Sequence, residues 1–150
     1  MSPQTGPSGS ECVLVVDDEP SVLSITCALL ARNGYTVLHA DSGDRALEIC
    51  ANSKQRIDLL LTDVMMPKMQ GPKLADLLLA QYPQMRVLFM SGFQDYRFAP
   101  GTSPALKRLL AKPFSPDTLL AAVRAALDEP RKRGPSREGS GGGNVEASGS

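Results

Sequence analysis

Asp58-Leu59-Leu60-Leu61-Thr62-Asp63-Val64-Met65-Met66-Pro67 is an apolar run that ends on a carboxylate and then breaks. A short continuous apolar run bounded by polar or turn residues suits a strand buried on both faces of a parallel sheet. Asp63 then stands where the strand stops, because Pro67 has no N–H to give a ladder. In open α/β sheets, ligands bind in the crevice outside the carboxyl ends of the strands. A lone Asp after a strand more often caps a turn. What matters is the company Asp63 keeps.

Working outward, the chain alternates. Cys12 to Val16 reads as a buried strand. Asp17-Asp18-Glu19-Pro20 opens a helix, with acids near the positive end of its dipole and proline near the first helical position. Val22, Leu23, Thr26, Leu29 and Leu30 mark the apolar face, and Asn33-Gly34 stops it. Tyr35 to His39 is a second strand. Ser42 caps a helix to about Ala51, with Ala46, Leu47 and Cys50 inward. Asp58 to Thr62 is the third strand. Gly71-Pro72 opens a helix carrying Leu74, Leu77 and Leu78, which ends before Pro83. Arg86 to Met90 and Arg108 to Ala111 are the last strands. Ser115-Pro116-Asp117 opens a final helix with Leu119, Leu120, Val123 and Leu127 on its apolar face. Between Gln94 and Ala105 a fourth helix is expected to be short or frayed. Pro100, Gly101 and Pro104 fall in it, and proline and glycine in a helix interior cost about 3 and 1 kcal/mol.

Strands alternating with helices mean right-handed βαβ units and a parallel sheet covered on both faces. One domain is expected over 11–128. Residues 1–10 are Ser/Gly/Pro-rich and read as a flexible linker, and 129–150 as a disordered tail that cannot bury enough apolar surface to offset its ordering entropy. Sixteen basic and sixteen acidic residues give zero formal net charge. That balance leaves no electrostatic footprint for nucleic acid or a membrane surface. No apolar run approaches the roughly 18 residues of a membrane span, and the first ten residues lack the pattern of a signal peptide. Cys12, Cys27 and Cys50 have no metal-type spacing, so free thiols in a reducing, cytoplasmic setting are expected.

The carboxyl ends of the strands collect Asp17 and Asp18, then Asp63, then Ser91 and Gly92, then Lys112 and Pro113. Three clustered carboxylates repel one another unless a cation lies among them. An all-oxygen site suits Mg²⁺, which keeps several waters and takes few carboxylates. A carboxylate can attack phosphorus to give an aspartyl phosphate. Phosphoryl transfer mainly needs a metal and donors on the equatorial oxygens, and Ser91 and Lys112 are donors of that type. Rival chemistries fit poorly. A dinucleotide site needs G-x-G-x-x-G where this chain has Asp-Asp-Glu-Pro. No P-loop is present. Phosphatases of the haloacid-dehalogenase type need a second Asp two positions after the nucleophile, where Met65 stands.

Val15-Val16-Asp17-Asp18-Glu19-Pro20, Thr62-Asp63-Val64-Met65-Met66-Pro67-x-Met69-x-Gly71, Met90-Ser91-Gly92 and Ala111-Lys112-Pro113-Phe114 together resemble the receiver domain of two-component response regulators. The resemblance implies a flavodoxin-like (CheY-like) doubly wound α/β fold, with five helices around a five-stranded sheet of order 2-1-3-4-5. It implies that Asp63 is the phosphoacceptor. The donor would be the phosphohistidine of a histidine kinase or a histidine phosphotransfer domain. Asp17, Asp18, Asp63 and the Met65 backbone carbonyl would hold Mg²⁺. Ser91 would bond the phosphoryl group, Lys112 would pair with it, and the Lys112–Pro113 bond would be cis. Phosphorylation would switch the face made by the fourth helix, fifth strand and last helix. Such a domain is a signalling module, not a turnover enzyme. The Gly-Ser-Glu lead-in and Leu-Phe-Met-Ser-Gly-Phe also resemble receivers at the carboxyl end of hybrid sensor kinases, and a stand-alone regulator fits almost as well.

The family usually carries an aromatic switch residue three positions before the lysine, and here Leu109 stands there. Tyr96, Phe98 or Phe114 are the available substitutes. This departure and the proline-broken fourth helix weaken the dimerising face, so a monomer is favoured. They also keep open a second reading, a receiver-fold interaction module not controlled by phosphate. Met65 and Phe93, both apolar, would flank the site and hinder an attacking water.

Overall fold

The computed structural model describes residues 10–92 and 109–129. Five strands form one parallel sheet in the order β2-β1-β3-β4-β5. They are β1 (Cys12–Val16), β2 (Thr36–Ala40), β3 (Leu59–Asp63), β4 (Arg86–Ser91) and β5 (Leu109–Ala111). Four helices are described: α1 (Pro20–Arg32), α2 (Gly43–Asn52), α3 (Gly71–Gln81) and α4 (Pro116–Asp128). This is the doubly wound, flavodoxin-like arrangement that the sequence predicts. The expected helix over Gln94–Ala105 lies outside the described residues, as do the substitutes Tyr96 and Phe98, the expected linker and nearly all of the expected tail.

β1 and β3 are buried at every position, which is why they read as continuous apolar runs. Alternate residues serve opposite faces. Leu14, Val16, Leu60 and Phe89 pack with Ala46 and Cys50 of α2 and with Leu74 and Leu78 of α3. Val13, Val15, Leu59, Leu61 and Met90 pack with Leu30 of α1 and with Leu119 and Val123 of α4. The central strand, β3, is hydrogen-bonded to β1 on one side and β4 on the other.

Local signals act as expected. The Ser42 hydroxyl accepts the Arg45 N–H at 3.1 Å, and the Ser115 hydroxyl accepts the Thr118 N–H at 3.1 Å. Gly34 takes φ 96 after α1, a left-handed conformation that suits glycine. Two strands begin one residue later than the sequence suggests. The Tyr35 N–H closes α1 by bonding the Leu30 carbonyl, and the Asp58 carboxylate accepts the Cys12 N–H. All three cysteines are free thiols. Arg124 of α4 bridges Glu11 at 2.7 Å and Asp128 at 2.9 Å, which ties the residue before β1 to the last helix.

One buried group is poorly matched. Thr26 of α1 is fully buried, and its hydroxyl has no hydrogen-bond partner among the described residues. An unsatisfied buried hydroxyl costs about 1–3 kcal/mol, whereas an apolar group of the same shape costs nothing comparable. Thr26→Val is therefore expected to stabilise the fold by about 1 kcal/mol. That would raise the thermal midpoint by about 3–5 °C. A lower midpoint in thermal unfolding would contradict it.

Candidate functional site

Asp17, Asp18, Asp63 and Lys112 come together at the carboxyl ends of β1, β3 and β5, and Ser91 ends the neighbouring β4. Asp17 follows β1 and is fully buried. Its N–H bonds the Ala40 carbonyl at 3.2 Å, and its Oδ1 accepts the Glu19 N–H at 2.9 Å, which orients the carboxylate at the entry to α1. Asp18, beside it, is exposed. Asp63 is the last residue of β3 and only 6% exposed. Ser91 ends β4, is buried, and donates its hydroxyl to the Gly92 carbonyl at 3.2 Å. Lys112 follows β5, and its N–H bonds the Ser91 carbonyl at 2.8 Å. The Lys112–Pro113 peptide is cis, as the resemblance implies.

The Lys112 ammonium bridges two carboxylates. Nζ lies 3.0 Å from Asp17 Oδ2 and 3.3 Å from Asp63 Oδ1. Burial works against the ammonium's charge. The Asp17 and Asp63 carboxylates together outweigh that and hold Lys112 above the ordinary lysine range. Asp17, Asp18 and Asp63 each offer an oxygen within 4.8 Å of the others.

This donor set fits a divalent cation. It is oxygen-only, the preference of Mg²⁺. Asp17 Oδ2 is buried and accepts no well-aligned hydrogen bond, so its contact with Lys112 is chiefly electrostatic and leaves a lone pair to offer. Three carboxylates against one ammonium leave two negative charges, which one divalent ion would balance. Met65, two residues beyond Asp63, is 41% exposed, and the Gln70 amide reaches its sulfur at 3.8 Å. Phe93 lies outside the described residues. Leu109 is 52% exposed, so this position presents an aliphatic surface and no ring.

Gly71 carries a role that its reading as a helix start did not reveal. It is buried at the first position of α3, and its N–H bonds the Val64 carbonyl at 2.8 Å. A Cβ there would overlap the Asp63 carbonyl oxygen and lie 3.1 Å from the Asp63 carbonyl carbon and 3.2 Å from Val64 Cα. The obstacle is backbone, which cannot swing aside. Gly71 thus lets α3 start directly against the peptide that carries Asp63. Gly71→Ala is expected to cost about 1–3 kcal/mol of stability, read as a lowered thermal midpoint. It is also expected to displace the Asp63 peptide, read as changed NMR amide shifts at residues 62–64. Wild-type values in both assays would contradict this account. The same loop holds Lys68 at φ 69, with the Met69 N–H bonded to the Pro67 carbonyl at 2.6 Å. That is a tight, strained turn for a residue with a side chain.

The sequence profile described as response regulator receiver domain matches residues 13–124. The chain belongs to that family, and it is a receiver domain of the two-component signalling class. Sensor kinase CckA of Brucella abortus is 37% identical over 123 residues, which cover 81% of this chain and 13% of the kinase. Response regulator receiver protein CpdR of the same organism is 31% identical over 77% of this chain and 95% of its own length. The transcriptional regulatory protein PhoP of Bacillus subtilis is 32% identical, and the match spans 52% of it. So the chain spans nearly all of CpdR, about half of PhoP and a small part of the kinase. Among solved structures, a receiver domain protein from Clostridium thermocellum superposes with TM-score 0.70 at 30% identity, covering 78% of this chain and 94% of that one. The receiver domain of hybrid histidine kinase CckA superposes with TM-score 0.65 at 33% identity, covering 77% and 98%. No helix among the described residues is long and apolar enough to cross a membrane.

Proposed function

We propose that this receiver takes a phosphoryl group on Asp63 from the phosphohistidine of a histidine kinase or histidine phosphotransfer domain. The observation that carries this reading is the cluster itself, three carboxylates within 4.8 Å and an ammonium touching two of them. An Asp63 carboxylate oxygen attacks phosphorus. The P–N bond breaks, the phosphoryl group stays on Asp63, and the imidazole leaves and takes up a proton. Asp17, Asp18, Asp63 and the Met65 carbonyl would hold Mg²⁺, which supplies positive charge to the phosphoryl oxygens. The Lys112 ammonium transfers its contact from the Asp63 carboxylate to a phosphoryl oxygen, which carries the greater charge. The Ser91 hydroxyl rotates away from the Gly92 carbonyl to donate to another.

The exposed Leu109 favours a second reading, an interaction module that does not respond to phosphate. One experiment separates the two. The chain is incubated with a small phosphodonor such as acetyl phosphate, with Mg²⁺ or with a chelator, and its intact mass is measured. One phosphoryl adduct that needs Mg²⁺ is the expected result. No adduct under either condition would favour the interaction module.

A further inference from the structure

The methionines among the described residues differ sharply in access. Met66, Met85 and Met90 are buried, at 6%, 6% and 0% exposure. Met69 is half-buried, with its side chain packed on Gly43. Met65 alone among them is exposed, at 41%, and it lies two residues beyond Asp63.

A polar contact orients its sulfur. The Gln70 side-chain amide donates to Met65 Sδ at 3.8 Å. Gln70 is the N-cap residue of α3, yet its side chain caps no helix N–H and is turned to the sulfur instead. A thioether sulfur has two lone pairs. The hydrogen bond covers one and leaves the other open.

An exposed thioether is a target for peroxides, because it reacts as the neutral group. The competing thiols react as thiolates. Burial pushes the Cys12, Cys27 and Cys50 thiols up, Cys50 to about 11, so few thiolates are present at neutral pH. Oxygen transfer therefore falls on Met65. The open lone pair attacks one peroxide oxygen, and the O–O bond breaks. The departing oxygen takes the proton of the transferred one and leaves as water. Sulfur is oxidised by two electrons and the peroxide is reduced. The product is a polar, chiral sulfoxide in place of a flexible apolar side chain.

We propose that Met65 is a peroxide-oxidised modification site in the loop that follows Asp63, with Gln70 selecting the sulfoxide epimer. The sulfoxide puts a strong hydrogen-bond acceptor for water where an apolar thioether stood, and it shortens the life of a phosphoryl group on Asp63. That last effect rests on the phosphoacceptor reading, whereas the oxidation and its stereochemistry do not.

The test treats the full 150-residue chain with hydrogen peroxide, digests it and follows each methionine by mass. Met65 is expected to oxidise first, with Met66, Met85 and Met90 slower by about tenfold or more. Reductases specific for each sulfoxide epimer then report the stereochemistry. One epimer should exceed the other about threefold in the wild type, the effect of one weak hydrogen bond. Gln70→Leu should give nearly equal amounts. Phosphoryl adducts on oxidised and unoxidised chains are then timed by intact mass. Oxidation should shorten the lifetime about fivefold, the effect of one hydrogen bond to the attacking water. It should leave the lifetime on Met65→Leu unchanged. Met66 or Met85 oxidising as fast as Met65 would overturn the proposal. So would equal epimers in the wild type, a ratio that Gln70→Leu does not change, or a lifetime indifferent to oxidation. No adduct on the unoxidised chain would instead overturn the Asp63 reading, and the peroxide map and epimer ratio would still decide for or against the site at Met65.

Discussion

Asp63→Asn is expected to take up no phosphoryl group above background from a small phosphodonor, whether or not Mg²⁺ is present. The amide has the shape of the carboxylate and cannot act as the nucleophile. The neighbouring carboxylates are poor replacements. Asp17 is fully buried, with Oδ1 engaged by the Glu19 N–H and Oδ2 facing Lys112. Asp18 is exposed and outside the Lys112 bridge. The substitution also removes one of three crowded negative charges, so the variant is expected to stay folded. Its thermal midpoint without Mg²⁺ should match or exceed that of the wild type, while its affinity for Mg²⁺ falls about tenfold or more with the lost ligand. Intact mass and thermal unfolding read both parts. An adduct on a well-folded Asp63→Asn variant would assign the chemistry to another carboxylate and sink the role given to Asp63.

Lys112→Met is expected to have the opposite signature, a large loss of stability that Mg²⁺ partly restores. Methionine keeps most of the length and apolar stem but leaves Asp17 and Asp63 without the ammonium that bridges them. Removing one partner of a buried ion pair costs about 3–5 kcal/mol. The midpoint at pH 7 without metal should therefore fall by about 10 °C or more. Mg²⁺ should raise the midpoint of Lys112→Met more than that of the wild type, because in the variant it replaces the charge that Lys112 supplied. Alkaline pH gives a second check. The folded pKa of Lys112 is raised above the ordinary 10.5, so its contribution is fully present below 10.5 and is lost as pH rises through the folded value. The gap between wild type and variant should hold up to pH 10.5 and close only above it. A gap already absent at pH 9 would contradict the ion-pair account.

The fold was legible because both sheet faces are buried. Continuous apolar runs such as Leu59-Leu60-Leu61 then mean parallel strands, and caps such as Ser42 and Ser115 fix where helices begin. The clustering of the candidate site was legible because alternating strands and helices bring the residues at strand ends to one edge. Lys112 is only three residues past the start of β5, so placing that strand places the ammonium. What sequence does not carry is close approach. Gly71 looks like a helix start, and only the three-dimensional crossing of α3 on the Asp63 peptide shows that a methyl group has no room. Thr26 sits on an apolar helical stripe that predicts burial correctly, yet nothing in the stripe says whether its hydroxyl finds a partner.

β5 pairs with β4 over three residues and, among the described residues, has no strand on its other side, whereas β3 is laddered on both sides. Resistance to local opening follows such ladders. The acidic groups thus rest on strands expected to exchange their amide hydrogens slowly. Lys112 hangs from a short edge strand, expected to open more readily. A fluctuation that frees β5 withdraws the ammonium and leaves the carboxylates in place, so the charge of the crevice can change without melting the domain.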